Sequence, residues 1–106
     1  MESDMDTPKR VIRVFPDFCN RWPLWESSAE NNTPTPTDLG LSPELTQAIK
    51  EWYDFWELHC DLDAGWDSRE SAAHCVATGD RWVAQLRDEV AAFADVSDER
   101  ARSVQP

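Results

Sequence analysis

Between Leu45 and Cys60 apolar residues return at every third or fourth position: Leu45, Ala48, Ile49, Trp52, Phe55, Trp56, then His59 or Cys60. That is the α-helical period, and it obliges the chain to bury a helix face carrying two tryptophans against other structure. Ser42-Pro43-Glu44 marks its start, because serine caps, proline suits the first helical position and an acid there complements the helix dipole. The end is expected near Asp61 to Gly65. A second stripe, Ala72, Cys75 or Val76, Gly79, Trp82 or Val83, Leu86, Val90 and Phe93, follows Asp67 and Glu70, whose spacing resembles a capping box with Asp67 as the cap. Within it, Thr78-Gly79-Asp80 has two readings. Either it breaks the helix, glycine costing about 1 kcal/mol relative to alanine, or Gly79 admits close approach by Trp52 or Trp56.

Outside the helices the pattern changes. Val11 to Phe15 (VIRVF) is short, β-branched and closed by Pro16, the marks of a strand. From Pro16 to Gly40 the chain carries Pro16, Pro23, Pro34 and Pro36 among Asn, Ser and Thr, which cannot sustain a helix and demands turns. So long a connection either hides a short strand around Leu24 to Glu26 or is functional or mobile, with Trp22, Leu24 and Trp25 pinning its beginning to the core. Ala94 to Val96 offers a short strand beside Val11 to Phe15. The fold expected is therefore α+β: two antiparallel-packed helices, about 43–62 and 68–94, against a small sheet that includes strand 11–15. A chain of 106 residues buries one modest core. One domain is expected over 11–96, with a Pro-rich loop at 16–41 and flexible tails at 1–10 and 97–106.

The charge is lopsided. Six carboxylates (Glu44, Glu51, Asp54, Glu57, Asp61 and Asp63) stand against one Lys50, so this stretch holds five of the chain's eleven net negative charges. Glu51, Asp54, Glu57 and Asp61 follow at three, three and four residues and line one ridge opposite the aromatic face. Like charges at that spacing cost a few tenths of a kcal/mol each, and acid at a helix C-terminus opposes the dipole. Such a ridge is either a solvated face or a surface for a basic partner. It repels nucleic acid and anionic lipid.

Other chemistry finds less support. The turn Asp61-Leu62-Asp63-Ala64-Gly65-Trp66-Asp67 invites calcium, but counted from Asp61 its glycine falls fifth rather than sixth and the twelfth position is Ala72, where a bidentate Glu belongs. His59-Cys60 and His74-Cys75, with Cys19, invite zinc. Adjacent helical residues point about 100° apart, however, and no C-x-x-C spacing occurs. Three cysteines without a framework spacing read as reduced thiols. No phosphate loop or nucleophile motif is present, although Asp54, Glu57 and His59 would make an acid–base pair if a pocket joined them. No apolar run reaches the ~18 residues of a bilayer span, and MESDMDTPKR lacks the apolar region of a signal peptide, so a cytoplasmic location is expected.

Trp66 stands apart from the other tryptophans because it lies in the acidic turn. Exposed, it makes an aromatic anchor ringed by Asp61, Asp63 and Asp67. Otherwise it folds back over the helix pair.

The order Phe15-Pro16-Asp17, Pro23-Leu24-Trp25, a polar loop, Leu41-Ser42-Pro43-Glu44-Leu45 and a helix with Trp52 and Trp56 four apart resembles a group of small acidic bacterial proteins of uncharacterised function. The resemblance implies a compact α+β domain over about 11–96 and no catalytic residue. In surface chemistry, not in motif, the chain is similar to immunity proteins and antitoxins that present an acidic helix to a basic toxin.

The leading expectation is a cytosolic protein-binding domain, an immunity protein or inhibitor. Its Glu51, Asp54, Glu57, Asp61, Asp63 and Trp66 would occlude a basic toxin or enzyme, with no cofactor or metal and no direct contact with nucleic acid or membrane. Two alternatives stand beside it. One is a nucleic-acid mimic that blocks a DNA-binding protein; the other is a small-ligand or catalytic domain with a pocket lined by Trp52, Trp56, Trp82 and His59.

Overall fold

The computed structural model describes residues 10–26 and 32–100. Chain order is β1 (Arg10–Val14), β2 (Leu24–Trp25), α1 (Pro43–His59), β3 (Cys60–Asp61), β4 (Gly65–Trp66), α2 (Arg69–Val90) and β5 (Ala94–Asp98). One sheet runs β2-β1-β5, and β3-β4 form a separate hairpin. The α+β architecture expected from the sequence is the one observed.

In β1, Ile12 and Val14 are fully buried while Arg13 between them turns away, the two-residue alternation of a strand with one face on a core. β2 pairs antiparallel with it, Val14 opposite Leu24, so the strand expected inside the Pro-rich segment exists. β5 pairs parallel with β1, from Arg10 opposite Ala94 to Val14 opposite Asp98. On the outer face Phe15 and Trp25 stack at 4.7 Å, with the Arg13 guanidinium over the Phe15 ring.

The helices pack antiparallel, as successive contacts along them show. Ser42 meets Glu89, the Trp52 and Trp82 rings lie 5.5 Å apart, and Phe55 stacks on His74. Ser42 is the N-cap, accepting from the Leu45 N–H at 3.1 Å. The same serine donates its N–H and hydroxyl to the Glu89 carboxylate at 2.7 and 2.6 Å, which fastens the start of α1 to the end of α2. Burial pushes the Glu89 carboxyl up, but these bonds from Ser42, with one from Gln85, outweigh it and hold the group below its ordinary value. Leu45, Ile49, Leu86 and Val90 fill the space between helices and sheet with no exposure. Each such side chain contributes roughly 1.5–3 kcal/mol through burial.

Four details differ from the sequence reading. First, α1 stops at His59 rather than about 62, because Cys60 is already extended (φ −118°, ψ 114°) and opens the hairpin. Second, the cap of α2 is Ser68, not Asp67: the Ser68 hydroxyl accepts from the Ser71 N–H, while Asp67 turns to His59. Third, α2 ends at Val90, not about 94, since Ala94 is needed to open β5. Fourth, Ser97 and Asp98 lie in β5, and Arg100 is only 6% exposed. Residues 1–9 and 101–106 of the expected tails, and 27–31 of the Pro-rich loop, lie outside the described residues.

Helix α2 passes unbroken through Thr78-Gly79-Asp80. A Cβ on Gly79 would stand 2.9 Å from Trp52 Nε1 and closer still to the Arg100 guanidinium, so close approach is the use made of this glycine. Arg100 lies across it with Nε and Nη2 donating to Asp98 at 2.8 and 2.7 Å, and Nη2 also to Asp80 at 2.6 Å. Burial alone would lower the Arg100 pKa, but the two carboxylates raise it, and the charge is kept.

Candidate functional site

Where α1 ends, the chain makes a tight reversal. Cys60 pairs with Trp66 and Asp61 with Gly65, and Gly65 has φ +81°, a left-handed conformation that glycine adopts without a side-chain clash. The Asp61 carboxylate accepts from the Asp63 and Ala64 N–H groups at 2.9 and 2.8 Å. Those two bonds, Ala64 first, hold its pKa below the ordinary carboxylate value. At the base of the hairpin the Asp67 N–H donates to the His59 carbonyl at 2.9 Å, and its carboxylate lies 2.7 Å from His59 Nδ1. The Ser71 hydroxyl and then His59 depress the Asp67 pKa, so this carboxylate is charged in neutral solution. His59 in turn stacks on Phe55 at 4.2 Å.

The six residues singled out from the sequence divide into two sets. Glu51, Asp54 and Glu57 are exposed along α1, where Gln47 donates to Glu51 at 2.8 Å and Lys50 pairs with Asp54 at 3.1 Å. Asp61 and Asp63 are exposed on the hairpin, so Asp61 is no longer part of the helical ridge. Trp66 is half-buried and packs against the core, the folded-back arrangement.

Beside the hairpin lies a groove of about 380 Å³ whose wall includes Glu57, Asp61, Trp66 and Asp67. The sequence reading missed its apolar part, formed by Phe18, Leu58 and Leu62. Leu58 is 78% and Leu62 80% exposed. The signal for Leu58 was present: it lies seven residues after Glu51 and four after Asp54, an apolar residue on the charged ridge. Phe18 reaches the groove from the segment after β1, where Tyr53 donates its hydroxyl to the Asp17 carbonyl at 2.9 Å and the Phe18 ring rests 4.3 Å from Trp56. Cys60 also lines the groove; burial, then the neighbouring Asp61, pushes its thiol up, so it is not a thiolate nucleophile at neutral pH.

The four residues of the expected aromatic pocket do not gather. Trp52 and Trp82 line a second groove of about 380 Å³ with Phe55, His74, Glu51 and Arg81, Trp56 is buried, and His59 belongs to the hairpin groove. The thiols are likewise scattered in environment: Cys19 is exposed, and Cys75 is buried and pushed up to about 12 by that burial. Among the described residues no three His, Cys, Asp or Glu side chains converge as metal donors. Nor is any helix among them long and apolar enough to cross a membrane.

A search of curated proteins finds no match to this chain. A family profile described as Serratia CdiI immunity protein-like matches residues 10–97, from the first residue of β1 to the penultimate residue of β5. The match takes in the sheet, both helices and the acidic hairpin together, and the chain belongs to the Serratia CdiI immunity protein-like family.

Proposed function

We propose that this chain is an immunity protein that acts in the cytoplasm by binding a basic toxin protein and covering the surface with which that toxin works. The observation that carries this reading is membership of the immunity protein-like family over residues 10–97. The acidic end of α1 and the hairpin supply a mechanism. Glu51, Asp54 and Glu57 on the helix and Asp61 and Asp63 on the turn are exposed carboxylates, and Trp66 lines a groove with Glu57 and Asp61. Carboxylates so grouped attract a basic surface at long range, raising association rate more than affinity, and the effect weakens with salt. Inhibition is by occlusion, and no group on the chain needs to react.

The test is a pull-down from lysate of the source cells with the purified protein as bait, washed at low and high salt, followed by co-expression of the retained protein with and without the bait. A basic protein that is retained at low salt, thinned at high salt, and arrests growth only when expressed alone is the expected result. A retained protein that is harmless alone overturns the immunity reading. Competition by duplex DNA for the retained protein would instead indicate a nucleic-acid mimic.

A further inference from the structure

Four large apolar side chains are exposed among the described residues, Leu58 and Leu62 for about four-fifths of their surface and Val11 and Phe18 for about two-fifths. Three of these four, Phe18, Leu58 and Leu62, line one groove beside the acidic hairpin. Scattered exposed leucines need no explanation, but exposed apolar groups converging on one concavity from separate elements do. Here Phe18 comes from the segment after β1, Leu58 from the last turn of α1 and Leu62 from the hairpin tip.

Two of the three are held in place by their surroundings. Phe18 has its ring against Trp56, and its position is fixed by the Tyr53 bond to Asp17. Leu62 is presented by a turn that Asp61 holds from within through two backbone N–H groups, and Gly65 supplies the left-handed residue this turn requires. The carboxylates of Glu57, Asp61 and Asp67 share the wall, and among the described residues its lining includes no Lys or Arg.

The geometry points to a two-part socket: an apolar seat of Phe18, Leu58 and Leu62, ringed by carboxylates, that receives an aliphatic side chain flanked by Lys or Arg on the partner protein. Charge complementarity selects this occupant. A purely basic segment would leave the leucines in water, and an apolar segment without cations would bring no counter-charge to Glu57 and Asp61, whereas Asp67 already has His59 beside it in the groove wall. The choice of a protein occupant rests on the immunity reading above. The socket goes beyond it, because it places specificity in apolar contact beside the acid and not in charge alone.

The experiment uses two blocked peptides as probes, Lys-Lys-Leu-Leu-Lys-Lys and Lys-Lys-Ser-Ser-Lys-Lys, titrated into the isotope-labelled protein and followed by amide shifts. The leucine peptide should shift residues 57–67 and the amide of Phe18 and bind at least about tenfold more tightly than the serine peptide. The L58S/L62S variant should erase that difference and leave the serine peptide's weak binding unchanged. Both leucines are exposed, so the variant should keep its thermal midpoint, which is measured first. Equal binding of the two peptides, shifts elsewhere on the protein, or no shift at all would overturn the socket. The growth assay above reads the immunity function separately, so either idea can fail while the other stands.

Discussion

Arg100 lies directly over Gly79, and the space the missing Cβ leaves is what the guanidinium and the Trp52 indole occupy. On an open helix, alanine in place of this glycine would stabilise by about 1 kcal/mol. Here Gly79→Ala should instead destabilise by about 1–3 kcal/mol, the range for overpacking a filled interior. Urea titration in the wild-type and Arg100→Ala backgrounds tests the cause. The penalty should shrink when Arg100 is gone, and an unchanged penalty would assign it to Trp52 alone.

Asp98 gives the fold a defined acid response. Its carboxyl is held below the ordinary value first by hydrogen bonds from Arg100, against the opposing push of burial. A lowered folded pKa means the native state releases this proton more readily than the unfolded chain. The stability it contributes is complete above the unfolded value of about 3.9 and is lost as pH falls through the lowered folded value. Asp98→Asn should therefore be less stable than wild type at pH 7 and lose less on acidification below about pH 4. Denaturation midpoints at pH 7, 4 and 3 would decide it, and parallel pH profiles would remove Asp98 from the explanation.

Reversing Glu51, Asp54 and Glu57 to Lys should leave the fold intact, because all three are exposed and the Lys50–Asp54 pair is an i,i+4 surface bridge worth about 0.3–0.5 kcal/mol. Association with the basic protein retained in the pull-down should slow by at least about tenfold at low salt, with the gap narrowing as salt rises. Stopped-flow or surface-based kinetics at two salt concentrations would measure this. Asp61 is left out of the set because its carboxylate shapes the turn.

Asp61→Ala is the complementary change. It removes the acceptor for the Asp63 and Ala64 N–H groups. Hydrogen exchange at those two amides should accelerate, while exchange within α2 stays as in wild type. Acceleration spread through the whole chain would mean the turn is coupled to global unfolding.

Ser42→Ala should cost about 1–2 kcal/mol, since it deletes both the cap on Leu45 and the hydroxyl bond to Glu89. Replacement by Thr should restore most of that loss. A Thr variant no more stable than Ala would show that the geometry at Glu89, rather than capping, dominates.

The helices were legible because their signals are local and redundant. Seven apolar positions at helical spacing, a Ser-Pro-Glu start and a single partner face leave little freedom. The two-residue β2 was also legible, through Leu24 and Trp25 standing apolar among prolines. What the sequence did not reveal depends on contacts far apart in the chain. Nothing near Arg100 announces that Asp80 and Gly79, some twenty residues earlier, form its seat. Asp67 and Ser68 both satisfy the rule for a cap, and the choice was made by His59, which drew Asp67 away. At the site, the acid was visible as composition, but the apolar seat required knowing that Phe18 comes over Trp56 to meet Leu58 and Leu62.

The parallel pairing of β1 with β5 sets an order of events. β1 has Leu24 and Trp25 close by in the chain, yet its longer partner begins 84 positions after Arg10. As synthesis proceeds, the two helices can meet and cover each other's tryptophans while β1 still lacks that neighbour and one row of its backbone groups stays open. The sheet is finished only when residues 94–98 arrive. For a protein whose proposed task is to meet a toxin, the interval between the hairpin and β5, about thirty residues of synthesis, separates a chain that already carries the proposed binding surface from one whose sheet is complete.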